Sequence, residues 1–419
     1  MRITPFCLFV LASAIGHSYA AKVSREAPLL AASNSDLIQD SYIVVLKDHV
    51  DLSDHLSLLQ KSNFIQTSKR SGRKNSGLNQ VQRQFQIGGK LKGYSGRFDA
   101  ETLAYIRNSE HVEFVEHDQT VYAIETQNDA PWGLARISHR SLPRQPYEYI
   151  YAPEAGEGVT AYVVDTGVNI HHKDFEGRAE WGATIPEGDP DVDGNGHGTH
   201  VAGTIAGKTY GVAKKAKVKA IKVLRSNGSG SLSDVISGID WVVTDHEERK
   251  SRDKGKTKSV ANMSLGGGRS RALDRAVDVA VKAGVNFAVA AGNDGLDACD
   301  YSPAASQLAV TVGASNSRDE AAWFSNHGDC VDIFAPGQEI ESAWIGSNVA
   351  TNIISGTSMA SPHIAGVLAL LISQPEFEDY TPKQLKDALV NLSTEDALED
   401  LPTWAGGSNR LVFTNPPKH

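Results

Sequence analysis

From Val159 onward the chain alternates short apolar runs with stretches of helical length. VTAYVV at 159–164, VKAIKVL at 218–224 and the runs at 260–265, 287–291, 308–312 and 331–334 read as strands. Between and after them, 201–205, 233–245, 272–283, 357–372 and 382–392 read as helices. Continuously apolar strands separated by helices specify a parallel sheet covered on both faces. The expected fold is therefore α/β, three-layered about a central, mainly parallel sheet. No internal repeat interrupts the pattern. The charged stretch 246–258 reads as a solvated loop between a helix and a strand.

The first part of the chain has another character. Residues 21–40 are small, polar and unpatterned, and read as a tether. A strand at 42–46, a helical stripe on Leu52, Leu56, Leu59 and Ile65, a basic Gly/Ser-rich loop at 67–77, a strand at 91–98, a helix capped by Asp99 and a strand at 112–116 follow. This β-α-β-α-β order, with room for one more strand, predicts a small α+β domain of ferredoxin-like type. Charge separates the two parts. Residues 22–124 carry 13 Lys+Arg against 12 Asp+Glu, whereas 125–419 carry 27 against 38. With a net charge of -9 and no dominant basic face, nucleic acid is not an expected partner.

Residues 1–20 have the form of a secretory signal peptide: Arg2, an apolar stretch at 6–15, and Ser18-Tyr19-Ala20 as a small-x-Ala cleavage site. The stretch is too short to span a membrane, and no later segment reaches that length. A secretory product is expected, extracellular or in a vacuole lumen. Cys7 leaves with the signal, so Cys299 and Cys330 remain as a pair and a disulfide is expected.

Three Gly-bounded segments carry chemistry. AYVVDTG at 161–167 ends a strand on Asp165, at the carboxyl edge where parallel sheets place their sites. DGNGHGTHVAG at 193–203 sets His197 after a Gly-rich loop and at the start of a helix. His197 and His200 could ligate a metal, but His-Glu-x-x-His is absent, and no Gly-Lys-Ser/Thr makes the loop a phosphate cradle. ISGTSMASPHIAG at 354–366 puts Ser358 at the N-terminus of an apolar helix, where the dipole and free N–H groups favour an oxyanion. Pro362 is expected within the first turn of that helix. Acyl transfer by a serine needs a base and an orienting carboxylate. The order Asp165, His197, Ser358 is that of subtilisin. A fourth segment, FAVAAGNDG at 287–295, places the Asn293 amide just past a strand, in position to donate to the oxyanion.

These four segments, with APWGLARI at 130–137, resemble the subtilisin-like serine proteases, in particular the proteinase K and cerevisin branch, from about residue 42 to 415. The resemblance implies Asp165 as orienter, His197 as general base, Ser358 as nucleophile, and Asn293 with the Ser358 N–H as oxyanion donors. It implies a signal peptide at 1–20, an inhibitory propeptide at 21–124, folded over about 42–123, and a peptidase domain at 125–419. Self-cleavage is expected at Ile124–Glu125. Substrate would pair with an edge segment including Ser229, Gly230, Ser231 and Leu232. Ser264, Leu265, Gly266, Ala290, Ala291 and Gly292 would wall the S1 pocket. These are neutral residues, which predicts apolar or aromatic P1 residues and argues against dibasic specificity.

No cofactor is expected for the chemistry. A structural calcium ion is implied at Asp332 with backbone oxygens of Gln307 and Ala309, and the tight calcium loop of the bacterial enzymes is missing after the His197 segment. Asn227 and Asn391 are expected glycan acceptors; the sequon at Asn262 falls on a strand expected to be buried. The expected partners are protein and peptide substrates and the chain's own prodomain, with the enzyme a monomer. A different class of function remains open at this point: a protease-fold binding protein that cleaves itself once and stays capped. An ordinary histidine near 6.5 predicts half-maximal activity around pH 6–7.

Overall fold

The computed structural model describes residues 26–31, 37–62, 64–65, 78–119, 125–399, 401 and 407–416. The expected signal peptide, the basic loop 67–77 and residues 120–124, which include one side of the expected cleavage bond, lie outside the described residues. The chain divides into two units, Met1–Val121 and Tyr122–His419.

In the first unit, strands Leu37–Leu46, Gln80–Ile87, Leu91–Arg97 and Val112–Gln119 form an antiparallel sheet with two helices, Leu52–Lys61 and Ala100–Arg107. The helices bury Leu56, Leu59, Leu103 and Ile106 against Val44, Leu46, Tyr94 and Val115 of the strands. Asp51 and Asp99 cap the helices by accepting from Ser53 N and Thr102 N. The strand that the sequence pattern left unplaced is Gln80–Ile87, which gives the β-α-β-β-α-β order. Two expectations need correction. The first helix stops at Lys61, although Ile65 beyond it is still buried. The presumed tether is partly built in: Leu29–Leu30 pairs in parallel with Val115–Glu116, and Ala27 exchanges backbone and guanidinium hydrogen bonds with Arg107. A two-residue strand completing a sheet edge leaves no periodicity to read.

In the second unit nine strands form one sheet. From one edge they run Thr394–Glu395, Arg410–Leu411, Ile333–Pro336, Val310–Ser315, Asn286–Ala290, Lys258–Met263, Val159–Asp165, Lys217–Lys222 and Ala179–Thr184. Every pair is parallel except the first. Strand Val159–Asp165 is wholly buried, and its side chains alternate between two cores. Val159, Ala161 and Val163 enter one with helices His197–Ala206, Thr357–Ser373 and Pro382–Leu392; Tyr162 and Val164 enter the other with Leu232–Arg252 and Arg271–Ala283. That alternation is the period-two geometry of a strand buried on both faces, and it makes three layers. The next two strands in chain order, Ala179–Thr184 and Lys217–Lys222, lie on one side of this strand, and all later ones lie on the other. Asp165 therefore ends its strand at the topological switch point.

The stretch expected as a solvated loop is largely helix: Leu232–Arg252 runs unbroken from its cap Ser231. Its residues are good helix formers, and one face turns inward. His246 is buried against Ser259, and Asp245 accepts from Tyr162 Oη and Lys219 Nζ. Cys299 and Cys330 are joined in a disulfide with Cα atoms 5.3 Å apart. Among the described residues no helix is long and apolar enough to cross a membrane.

Candidate active site

Asp165 is fully buried at the end of its strand, with Oδ1 accepting from Thr166 N and lying 2.8 Å from His197 Nδ1. His197 opens the helix His197–Ala206, behind Gly196, whose φ of +103° is one that side chains rarely adopt. The next residue explains the close docking. A Cβ on Gly198 would stand 2.1 Å from Gly167 O and 3.2 Å from Asp165 Cβ, so the helix start can approach the carboxylate only with glycine there.

Burial of the His197 ring disfavours its charged form, but the Asp165 carboxylate, the hydrogen bond to it and the nearby Asp193 outweigh this and raise its pKa above the ordinary 6.5. Asp193 also braces the loop. Its Oδ1 accepts from Thr166 Oγ1, Asn195 N and Gly196 N, and its Oδ2 from Thr199 N and Oγ1. Lys222, fully buried in the adjacent strand, donates to Thr166 O and Leu224 O and faces Asp189 at 3.1 Å. Sequence reasoning missed both. Only Asp193 left a signal, the Asp-Gly-Asn turn before His197.

Ser358 is the second residue of the helix Thr357–Ser373, near its positive end. Its hydroxyl donates to Ser264 O at 3.1 Å, while Ser264 Oγ donates back to Ser358 O at 2.7 Å. Pro362, expected in the first turn, is the sixth residue of this helix. Lacking an N–H, it cannot donate to the carbonyl four residues back, which is that of Ser358. Ser264 takes up the carbonyl that the proline leaves free.

Asn293 Oδ1 accepts from Thr357 N at 2.8 Å and Thr357 Oγ1 at 2.9 Å. With its oxygen held, the amide NH2 is the end left for a ligand. Asn293 and Ser358 line one 290 Å³ cavity, together with Leu265, Gly266 and the strand end Ala290, Ala291 and Gly292. A neighbouring 640 Å³ groove holds His197, Ser229, Gly230, Ser231, Leu232 and Ser264. The structure thus gathers the expected catalytic and substrate-binding residues, apart from the buried Asp165, into two adjoining hollows. Within the expected edge segment, however, Ser231 caps the long helix and Leu232 begins it. A larger cavity of 890 Å³ opens where the strands begin, lined by Glu157, His246 and Lys386 among others, and by none of Asp165, His197 and Ser358.

The calcium expectation gains no support from the residues around Asp332. Lys386 Nζ lies 2.8 Å from Asp332 Oδ2 and donates to Ala309 O at 2.7 Å, so an ammonium already holds two of the three oxygens assigned to the ion. Among the described residues no group of three or more His, Cys, Asp or Glu side chains is placed to hold a metal. His200, the alternative ligand, is buried, and its Nε2 is paired with Ile340 O. Asn227 and Asn391 are exposed, whereas Asn262 is fully buried between Ser264 and Ser361.

A model described as the subtilase family matches residues 156–406, and one described as peptidase inhibitor I9 matches residues 41–123. Subtilisin-like protease 8 of Arthroderma otae is 52% identical, over 91% of this chain and 85% of its own. Subtilisin-like serine protease Pen c 2 of Penicillium citrinum is 52% identical, over 91% of each chain. Among solved structures, a cold-adapted subtilisin-like serine proteinase is 47% identical and superposes with a TM-score of 0.61, covering 68% of this chain and 98% of that one. A chain that fits the subtilase pattern across 156–406, and subtilisin-like proteases across 91% of its length, belongs to the subtilase family and is a serine endopeptidase made as a zymogen with an I9 prodomain.

Proposed function

We propose that Ser358 is the nucleophile, His197 the general base and Asp165 the residue that orients and charges it. The 2.8 Å Asp165–His197 contact carries this reading. It fixes the Nδ1–H tautomer and leaves Nε2 to accept a proton. On substrate binding the Ser358 hydroxyl turns from Ser264 O to His197 Nε2, gives up its proton and attacks the scissile carbonyl. The oxyanion accepts from the Asn293 amide and the Ser358 N–H. His197 then protonates the leaving amine, and water repeats the sequence on the acyl-enzyme.

Residues 264–266 and 290–292, all neutral, wall an S1 pocket, which supports apolar or aromatic P1 residues over Lys and Arg; among the described residues the one acid lining the cavity beside 265–266 and 290–292 is Asp294. Substrate lies along the groove of Ser229–Leu232. Residues 1–20 direct export to the exterior or a vacuole lumen, 21–124 are the propeptide, and 125–419 are a peptidase that works as a monomer and carries glycans on Asn227 and Asn391. No finding favours the self-capped binding protein.

The test is labelling of secreted protein with a fluorophosphonate, followed by peptide-library cleavage. Stoichiometric modification of Ser358 and an apolar P1 profile are expected. An unlabelled Ser358 in mature protein would reject the assignment, and a profile led by Arg would reject the pocket.

A further inference from the structure

Lys386 sits on the helix Pro382–Leu392 and reaches back to the sheet. Its ammonium bridges two groups 23 positions apart in the chain, the Ala309 carbonyl and the Asp332 carboxylate, at 2.7 Å and 2.8 Å. The bridge is substantially withdrawn from water: the Lys386 side chain is 18% exposed and that of Asp332 25%. The carboxylate is itself fixed, since Oδ2 also accepts from Thr311 N at 2.8 Å and Asp332 N donates to Thr311 O. Gln307, the third expected ligand, lines the same cavity as Lys386.

A hard divalent cation would use these same oxygens at 2.3–2.6 Å. It cannot enter while an ammonium stands at hydrogen-bond distance from two of them, because the two cations repel and compete for the same lone pairs. We propose that Lys386 is a built-in cation, replacing a bound calcium ion and making this corner of the peptidase unit independent of calcium. The converse follows from the same geometry. Removing the ammonium leaves a pinned, partly buried carboxylate beside the freed Ala309 carbonyl, which is an incipient calcium site.

The experiment uses the full chain carrying Ser358→Ala, to prevent self-digestion, with and without Lys386→Met. Thermal midpoints are measured in chelator and in millimolar calcium, and calcium binding is titrated calorimetrically. In the parent, chelator should leave the midpoint of the peptidase unit unchanged. Lys386→Met should lower it by about 5 °C or more in chelator, through the uncompensated carboxylate. Calcium should restore at least half of that loss, with one binding event more than in the parent and a dissociation constant on the order of 10⁻⁴–10⁻³ M. Equal calcium binding by parent and variant, or a chelator midpoint that the substitution does not move, would overturn the proposal. Should Lys386→Met fail to accumulate, Lys386→Met/Asp332→Asn carries the test. With both charges gone it should fold and ignore calcium, and a calcium-dependent rise in its midpoint would equally refute the assignment. None of these readouts depends on the catalytic roles proposed above.

Discussion

The Asp165 and Asp193 carboxylates hold the His197 pKa up, so the neutral base appears only above the pH at which an ordinary histidine loses its proton. Activity should therefore fall as pH drops through a midpoint higher than an unperturbed ring would give, so the loss on acidification sets in earlier than for an ordinary histidine. Asp193→Asn removes one of the raising charges, and the kcat/KM profile should move to lower pH; an unmoved midpoint would show that Asp193 only braces the loop. Asn293 offers a second test. Thr357 holds its oxygen, so Asn293→Ala deletes a donor already aimed. The expected change is a fall in kcat of about a hundred- to a thousandfold, the range measured in subtilisin itself, with KM nearly unchanged. A rise in KM alone would argue for a ground-state contact. Asp165, His197 and Asn293 could be picked out because each stands in a short local pattern. Lys222 and Lys386 could not, since a lysine's partner across a fold leaves no mark on its neighbours in the chain.

The helix that presents His197 depends on how closely it can lie against Gly167. Gly198→Ala adds a carbon 2.1 Å from Gly167 O, and backbone must shift to receive it. Overpacking of this kind costs about 1–3 kcal/mol, and a displacement near 1 Å at the base lowers kcat by about a hundredfold. A variant with wild-type kcat and melting point would disprove this account of the docking. Helix and strand identities were mostly readable because apolar runs and caps are local signals. The long helix Leu232–Arg252 was misjudged at its charged end, where Tyr162, Ser259 and Lys219 supply partners that only the folded sheet brings near. The pairing of Leu29–Leu30 was hidden for the same reason.

A nine-stranded parallel sheet is assembled from contacts distant in sequence, and such topologies fold slowly. Wild-type protein should yield a chain beginning near Glu125, while Ser358→Ala should remain uncut, as read by N-terminal sequencing of secreted material. Cutting of the mutant at the same bond, in a host without related proteases, would show that processing occurs in trans. The expected bond rests on its distance from APWG and on the small and apolar residues at 120–124 that precede it. One consequence concerns anyone who would alter what this enzyme cleaves. Pro362 leaves the carbonyl of Ser358, the proposed nucleophile, to Ser264, a proposed pocket residue that lines the neighbouring groove, and the Ser264 carbonyl in turn accepts from the Ser358 hydroxyl. Selectivity and reactivity are thus mechanically linked at that residue: a library that reshapes the pocket through position 264 will also loosen Ser358, whereas changes at 265, 266 or 290–292 leave that linkage intact.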